Sequence, residues 1–336
     1  MIETKTVLVL GAGASAPYGF PTGDALIRGV RDLEGSPEMG KRCGGLLEYI
    51  DHLVSDGASS WSGLGGWMKG LNAELYKARP SSIDEFLERR PDLADAGKLA
   101  ISVLLLRAEE KSGAYLWDDL TGGHWYDYLK ARMSGPPQSF EKNQVRIITF
   151  NYERSLEHYL CESLRSYYRT DLTEEEYCEI ISQIPFVHVY GSLGPLPWQA
   201  TAASLPEENA VPYGAHDYPY ILRASQNIKI LHEGVAEDTV QEFGIAQEWL
   251  QWADRILFLG FGFHPDNVKR LALGQTLHNK NGTTATCKGL DLTNRQAVEF
   301  CTPGTHPHAM GSPRSIAFPN PNADCYTFLY DHVVLS

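Results

Sequence analysis

The chain has 336 residues, of which 43% are hydrophobic and 21% charged, so it is long and apolar enough to bury a sizeable core. Its net charge of −13 argues against a general nucleic-acid-binding surface, since such a surface needs excess Lys and Arg to replace the counterions of phosphates. No stretch approaches the about 18 consecutive apolar residues of a membrane span, and the apolar N-terminal segment is too short for a signal peptide. We therefore expect a soluble, cytoplasmic protein that binds neither membranes nor, directly, nucleic acids.

The cysteines are widely scattered, and no two of them have the C-x-x-C spacing of a tetrahedral zinc site. An even number of cysteines can indicate disulfides, but mainly in small secreted chains. We therefore expect reduced thiols and no bound zinc. The six residues are Cys43, Cys161, Cys178, Cys287, Cys301 and Cys325.

Four short apolar segments are predicted to be strands: TVLVL (6–10), VRIITF (145–150), FVHVY (186–190) and RILFLG (255–260). Segments this apolar are typical of strands that are buried on both faces of a parallel sheet. We therefore predict an α/β fold, with a Rossmann-like parallel sheet flanked by helices. Ligands of such sheets bind at the carboxyl ends of the strands, so the four following segments should converge on one site.

The long connection between the first two strands is predicted to be mostly helical. We expect a single domain over residues 1–336, with residues 24–140 forming a mostly helical insertion or subdomain packed on the sheet. Within it, residues 82–85 match a capping box, residues 99–109 form an apolar helix, and the Gly- and Ser-rich residues 56–66 form a loop.

The second half of the chain adds further expected elements. Residues 173–176 match a second capping box, and residues 241–252 have the pattern of an amphipathic helix. Residues 197–220, rich in Pro, Ala and Gly, are expected to be a lid or a disordered loop, and strands are expected at residues 283–290 and 325–330.

The first candidate binding segment is GAGAS (11–15), directly after the first strand. Glycines there let a backbone approach a phosphate closely, although the same pattern suits a tight turn. Pro17 and Pro21 prevent an immediate regular helix, so we place the helix start at Thr22 or Gly23, with Thr22 as the cap. No second strand ending in an acidic residue follows at the spacing of a dehydrogenase, which disfavours that class.

Two later strand ends carry further candidates. Asn151 follows the second strand, either as a helix cap or as an amide that orients a ribose hydroxyl or a water. Gly260 and Gly262 form a second glycine turn after the fourth strand, and Asp266 and Asn267 are the candidate caps of the next helix.

The third strand carries His188 just before a Gly-Ser turn. A histidine there is either a proton-transferring group or a buried side chain bonded to a backbone carbonyl. Tyr190 lies on the same face of the strand, about 6–7 Å nearer the turn.

Together these segments resemble the sirtuin-like family, in particular the bacterial sirtuin-like NAD hydrolases of antiphage defence. The resemblance is carried by GAGAS-x-x-x-GFPT (11–22), SSIDEFLE (81–88), TFNYE (149–153), HVYGSLG (188–194) and LGFGFHPDN (259–267). It implies that NAD is the substrate, that Asn151 is the catalytic asparagine, and that the histidine near the Gly-Ser turn is the general base. It also implies that GAGAS holds the NAD diphosphate and ribose and that Gly260 and Phe261 contact the adenosine half. The predicted nucleotide-binding residues are Gly11, Ala12, Gly13, Ser15, Pro21, Thr22, Asp24, Tyr190, Gly191, Ser192, Gly260, Phe261 and Gly262.

The chain departs from this family's pattern at several points. It lacks the two C-x-x-C pairs of deacetylating sirtuins, and residues 22–24 read Thr-Gly-Asp instead of Asp-Phe-Arg. Both differences favour NAD cleavage over deacetylation. Glu153 replaces the usual Asp, and Tyr190 occupies the position where the family has its histidine, so His188 is the candidate base.

We therefore expect an NAD hydrolase that releases nicotinamide and ADP-ribose in antiphage defence. Its control is expected to come from homo-oligomer formation or from a partner, which in the resembling systems is a HerA-type ATPase or an Argonaute-like protein. One alternative is a non-catalytic NAD- or ADP-ribose-binding sensor or scaffold subunit. Another is a deacylase or ADP-ribosyltransferase.

Overall fold

The computed structural model describes residues 1–32, 64–118, 123–133, 135, 137–168, 172–230, 237–277, 282–286, 316, 318–320 and 322–335. The strands are β1 (Thr6–Leu10), β2 (Val145–Thr149), β3 (Phe186–His188), β4 (Arg255–Leu259) and β5 (Gly282–Ala285). The α-helices are α1 (Ala12–Ser15), α2 (Gly23–Asp32), α3 (Leu64–Ala78), α4 (Ile83–Arg89), α5 (Ala94–Leu116), α6 (Trp125–Met133), α7 (Ser155–Tyr167), α8 (Glu174–Ser182), α9 (Pro197–Ala202), α10 (Tyr218–Asn227), α11 (Glu237–Trp252), α12 (Pro265–Arg270), α13 (Leu273–Thr276) and α14 (Cys325–His332).

The strands form one parallel sheet in the order β3-β2-β1-β4-β5. All five residues of β1, at its centre, are buried, as expected for a strand covered by helices on both sides. This confirms the predicted α/β, Rossmann-like fold. The strand order reverses between β1 and β4, and a ligand crevice of such sheets lies at this switch point.

The carboxyl ends of the central strands lie level with one another. Leu10 pairs with Thr149 of β2 and with Leu259 of β4, and Thr149 pairs with His188 of β3. Three of the predicted strands extended one or two residues too far, because Phe150, Tyr190 and Gly260 lie past the strand ends. The segments that follow the strands therefore emerge at one edge, as expected.

The described parts of residues 24–140 are largely helical and comprise α2 to α6. Gly65 and Gly66, predicted to lie in a loop, belong to α3, while the rest of that predicted loop up to residue 63 lies outside the described residues. Two glycines cost a helix about 1 kcal/mol each, and the complete burial of Leu71 and Leu75 in α3 offsets that cost.

The capping predictions have different outcomes. Thr173 and Glu176 form the full reciprocal box at the start of α8. Ser82 caps α4 by accepting a hydrogen bond from the Asp84 amide, but Glu85 accepts from the Ser81 hydroxyl instead of closing the box. The α2 helix begins at Gly23, as predicted.

Residues 325–330 were wrongly predicted to be a strand and belong to α14. Cys325, Phe328 and Leu329 are its buried residues, and their spacing of three and four residues is that of a helix face. Asp324 caps the helix by accepting a hydrogen bond from the Thr327 amide at 2.9 Å. Of the other predicted C-terminal strand, residues 283–285 lie in β5 and residues 287–290 lie outside the described part.

The prediction of a lid or disordered loop at residues 197–220 was also wrong. This segment contains α9, a 3-10 turn at Glu207–Asn209 and the start of α10. Ala200 and Val211 are buried, so apolar contacts hold this segment against the domain although its composition is typical of a loop.

A buried ion pair joins the helical insertion to the sheet. Arg154, which follows β2, donates to both carboxylate oxygens of Glu109 in α5, at 3.1 and 2.6 Å, and both side chains are about fully buried. The other terminal nitrogen of Arg154 donates to the carbonyls of Gly194 and Val211 at 2.9 and 2.6 Å. One guanidinium thus connects α5, the end of β2 and the segment after the Gly-Ser turn.

Among the described residues, no helix is long and apolar enough to cross a membrane.

We expect Glu109→Ala to lower the free energy of unfolding by about 3–5 kcal/mol, because it leaves the Arg154 charge buried and unpaired. The matched control is Glu74→Ala, which removes the partly exposed partner of Arg90 and should lower the free energy of unfolding far less, because solvent screens such a pair. Urea unfolding monitored by circular dichroism measures both. Equal losses in the two variants would contradict the role given to Arg154 and Glu109.

Candidate functional site at the carboxyl ends of the strands

The two glycine turns, after β1 and after β4, are packed against each other. The Gly11 amide donates to the Leu259 carbonyl and the Gly13 amide to the Gly260 carbonyl, each at 3.0 Å. A β-carbon on Gly11 would lie 2.5 Å from the Gly260 oxygen. Gly260 has φ +58°, and a β-carbon there would lie 2.1 Å from the Ala14 nitrogen. These glycines are therefore required by the approach of two backbones.

This packing changes the interpretation of GAGAS. The amides of Gly11 and Gly13 were expected to face a diphosphate. Both donate instead to backbone carbonyls, at the end of β4 and in the turn that follows it. By contrast, a β-carbon on Gly262 would meet no atom within 4 Å, so the backbone there is open to an approaching group.

A cavity of about 120 Å³ lies beside this contact. Its walls come from three segments: the chain between β1 and α2, the start of α4, and the residues after β2. Four of the predicted site residues line it, namely Ala12, Ser15, Pro21 and Asn151. The polar residues that sequence reasoning had not assigned to a site are Ser81, Ser82, Asp84 and Glu153.

Asn151 is held firmly at the wall of this cavity. Its side-chain amide donates to the Gly11 carbonyl at 3.2 Å and to the Ser15 hydroxyl and a Glu153 carboxylate oxygen at 3.3 Å each. Among the described residues, no group donates to its amide oxygen. The helix-cap interpretation of Asn151 was wrong, because Glu153 accepts the hydrogen bond of the Ser155 amide at 2.6 Å at the start of α7. Asn151 therefore offers the cavity an oriented acceptor.

Two carboxyl groups line the same cavity. Burial raises the pKa of Glu153, against the opposing hydrogen bonds of Ser155. Burial also raises the pKa of Asp84, against hydrogen bonds from Tyr152 and Ser82. Carboxyls with raised pKa values in a cavity are candidates for proton transfer. Asp84 lies in SSIDEFLE and Glu153 in TFNYE, two of the segments that carry the family resemblance. That resemblance is the sequence feature that could have identified them as site residues.

His188 lies outside the cavity walls and is bound on both sides. One ring nitrogen, Nδ1, is 2.8 Å from the Asn151 carbonyl, and the other, Nε2, is 2.6 Å from a Glu157 carboxylate oxygen. Burial by itself lowers the pKa of His188, but the charge and hydrogen bond of Glu157 and the bond to Asn151 raise it above its usual value. Since a carbonyl and a carboxylate both accept hydrogen bonds, this arrangement favours a doubly protonated ring, which has no nitrogen left to take a proton from a substrate. The geometry gives His188 the role of fixing the backbone of Asn151, which differs from the predicted general base.

Tyr190 also points away from the cavity. Its hydroxyl donates to the Asn267 side chain at 2.5 Å and accepts from Arg270 at 2.7 Å, and Arg270 in turn is paired with Glu88 of α4. Burial raises the pKa of Tyr190. Tyr190 thus connects the segment after β3 to α12 and α4.

The remaining predicted nucleotide-binding residues do not line the cavity. Gly191 has φ +72°, and a β-carbon there would lie 2.1 Å from the Asn227 carbonyl, while Ser192 accepts from the Gly194 amide at 3.2 Å. Thr22 and Asp24 are exposed at the start of α2.

Phe261 was expected to contact adenosine, but its side chain is only 3% exposed and packs against Phe150 with a centroid distance of 4.8 Å. Since the approach of the two glycine turns puts this ring in the core, only its backbone is available to a ligand.

In the part of the chain that the structure describes, no group of three or more His, Cys, Asp and Glu side chains is placed to hold a metal ion.

We expect Gly260→Ala to lower the free energy of unfolding by at least about 1–3 kcal/mol, because it combines a positive φ with a collision against backbone. The control is Gly244→Ala in α11, where a β-carbon meets no atom within 4 Å and the change should stabilise by about 0.5–1 kcal/mol. Thermal unfolding of both variants measures the difference. A neutral Gly260→Ala would contradict the proposed close contact.

We expect the stability contributed by the His188 charge to depend on pH. Because its folded pKa is raised, this contribution is fully present below the unfolded value of about 6.5 and is lost as the pH rises through the folded pKa. The difference in unfolding free energy between wild type and His188→Gln should therefore be largest below about pH 6.5 and decrease above it. Denaturant unfolding across pH 5–9 measures it.

The control for this pH dependence is His124→Gln. Burial lowers the pKa of His124, so its difference from wild type should decrease in the opposite direction, as the pH falls. A wild-type His188 imidazole that titrates below its usual value in an NMR experiment would contradict the charged arrangement.

Comparison with known proteins adds no assignment, since neither a protein-family model nor a curated protein matches the chain. The fold and the cavity are therefore the observations from which a function is proposed.

Proposed function

We propose that the chain is an NAD glycohydrolase, which binds the nicotinamide–ribose half of NAD in the cavity and releases nicotinamide and ADP-ribose. The observation that carries this proposal is the amide of Asn151, fixed by Gly11 and Ser15 beside the switch point of a Rossmann-like sheet. Nucleotides bind at the carboxyl ends of such strands, which is where this cavity lies.

The lining of the cavity suits the chemistry of the proposed reaction. Cleaving the bond between nicotinamide and ribose builds positive charge on the sugar, which nearby carboxylates stabilise. Asp84 and Glu153 supply such groups, and Phe20, Leu26 and Phe150 supply apolar walls that limit access of bulk water. The amide oxygen of Asn151 is suited to accept a hydrogen bond from a ribose hydroxyl or from the attacking water.

A second candidate function is NAD or ADP-ribose binding without turnover, as in a sensor or scaffold subunit. The enclosure of His188 between Asn151 and Glu157 favours it, because the histidine expected to be the base has no nitrogen left for a substrate. Product formation, measured beside affinity, separates the two functions.

On the motif resemblance we also propose that the activity serves antiphage defence. Its control would then come from homo-oligomer formation or from a HerA-type ATPase or an Argonaute-like partner. Co-purification with the products of neighbouring genes tests this part of the proposal.

We expect the wild-type chain to convert NAD to nicotinamide and ADP-ribose, and Asn151→Ala to lower the rate about 100-fold or more, as removal of one preorganised polar group does. The control is Asn209→Ala, at an exposed asparagine outside the cavity, which should leave the rate unchanged. Chromatography of the products measures turnover, and calorimetry measures NAD affinity. Tight NAD binding that weakens in Asn151→Ala, without any product in wild type, would replace the hydrolase with the sensor.

A further inference from the structure

A second histidine, His264, contacts a residue that lines the same cavity. His264 follows β4, and its Nε2 atom is 3.2 Å from the hydroxyl of Ser81, which lines the cavity together with Asn151. We infer that Ser81 and His264 form a proton relay, in which the serine hydroxyl takes the proton of the attacking water and passes its own proton to the histidine. This inference rests on the proposed hydrolysis of NAD.

The surroundings of His264 suit a proton acceptor better than those of His188. Its side chain is 27% exposed, whereas both nitrogens of His188 are bound by protein acceptors. Carboxylate oxygens lie on both sides of the His264 ring: that of Glu85 is 3.5 Å from Nε2, and that of Asp266 is 3.8 Å from Nδ1. The negative charge of carboxylates this close stabilises the imidazolium that forms when the ring takes a proton.

The backbone before His264 is strained in a way that fixes the position of the ring. Phe263 has φ +51°, which is unfavourable for a residue with a side chain. Its ring is fully buried and packs against Phe258 and Phe261, with centroid distances of 5.1 and 4.9 Å. Strain held in place by packing is a feature of functional sites, and here it presents His264 to Ser81.

Glu85 is the competing acceptor, since its Oε2 atom lies 3.0 Å from the Ser81 hydroxyl. Its other oxygen pairs with Arg89 at 2.9 Å, and a carboxylate is in general a weaker base than an imidazole. We therefore assign the acceptor role to His264, toward which the single Ser81 hydroxyl proton turns from Glu85 during the step.

The proposed step is balanced as follows. The bond between the ribose C1′ and the nicotinamide nitrogen breaks, and nicotinamide leaves as a neutral molecule with the bonding electron pair. The water oxygen bonds to C1′ and gives one proton to the Ser81 oxygen, as the serine proton moves to Nε2 of His264. The imidazolium then releases its proton to solvent on its exposed side, so that NAD⁺ and water become ADP-ribose, nicotinamide and H⁺.

The test compares NAD hydrolysis by wild type, His264→Ala, His264→Gln and Ser81→Ala, with kcat and KM measured separately. We expect all three variants to lose about 100-fold or more in kcat, the usual scale of general base catalysis, with KM nearly unchanged. Added imidazole should partly restore kcat to His264→Ala and not to Ser81→Ala. His216→Ala is the matched control, because His216 is similarly exposed, at 32%, and lies 3.6 Å from Glu110, away from the cavity.

The variants distinguish proton transfer from a merely structural role. Glutamine at position 264 can hydrogen-bond to Ser81 but cannot take a proton, so wild-type kcat in His264→Gln overturns the relay. A parallel loss of affinity and rate in His264→Ala, without rescue by imidazole, also overturns it. A larger loss in Glu85→Gln than in His264→Ala gives the acceptor role to Glu85 and overturns the relay through His264.

Failure of the relay and failure of the proposed function have different results. If wild type consumes no NAD, the proposed function itself fails and the relay with it, whereas an active wild type with unaffected His264 variants refutes the relay alone.

Discussion

The cavity depends on the burial of one charge pair, Arg154 with Glu109. A charged pair is stable inside a protein only when its hydrogen-bonding groups find partners, and here Arg154 also reaches the carbonyls of Gly194 and Val211. Those partners belong to the helical insertion and to the segment after β3, whereas Arg154 itself follows β2. Because Arg154 follows directly after the residues that line the cavity, the requirement to pair this charge also fixes the positions of the cavity walls.

The second constraint is the contact between the two glycine turns. The backbone after β1 touches the backbone after β4 so closely that a single β-carbon on either side would collide. This contact closes the switch point of the sheet at its base and leaves the space above β1 and β2 to the cavity. A glycine pattern that is typical of a phosphate site therefore supports backbone packing, and side chains such as Asn151 line the cavity beside it.

The two histidines near the strand ends have opposite surroundings. His188 lies between a carbonyl and a carboxylate, which favour a charged ring and make it a structural support for Asn151. His264 is partly exposed and lies beside a hydroxyl on the cavity wall. A histidine can take a proton from a substrate only through a ring nitrogen that the protein does not already bind. This condition separates the two histidines.

The role of Tyr190 likewise follows from the hydrogen bonds that its hydroxyl makes within the protein. This tyrosine replaces the histidine of the resembling family, and its hydroxyl completes a network with Asn267, Arg270 and Glu88 that holds α4 against the sheet. The start of α4 supplies Ser81 and Asp84 to the cavity. This network therefore supports a wall of the cavity without lining it.

The sequence by itself determined the sheet, its central strands and the edge at which the candidate site lies. Apolar strands of this kind can be buried only between helices, and parallel strands bring their carboxyl ends together, so TVLVL and VRIIT predict both the fold and the place. The helix start at Gly23 and the capping box at Thr173 are equally local, since caps depend on residues a few positions apart.

Only the tertiary structure decided what each polar residue does there. The partners of His188 and Tyr190 lie 31 to 80 positions away in the sequence, and the contacts of Gly260 and Ser81 with their partners span comparable or greater separations. The role of a titratable side chain depends on its nearest donors, acceptors and charges, and local sequence patterns do not specify neighbours that folding brings from so far along the chain.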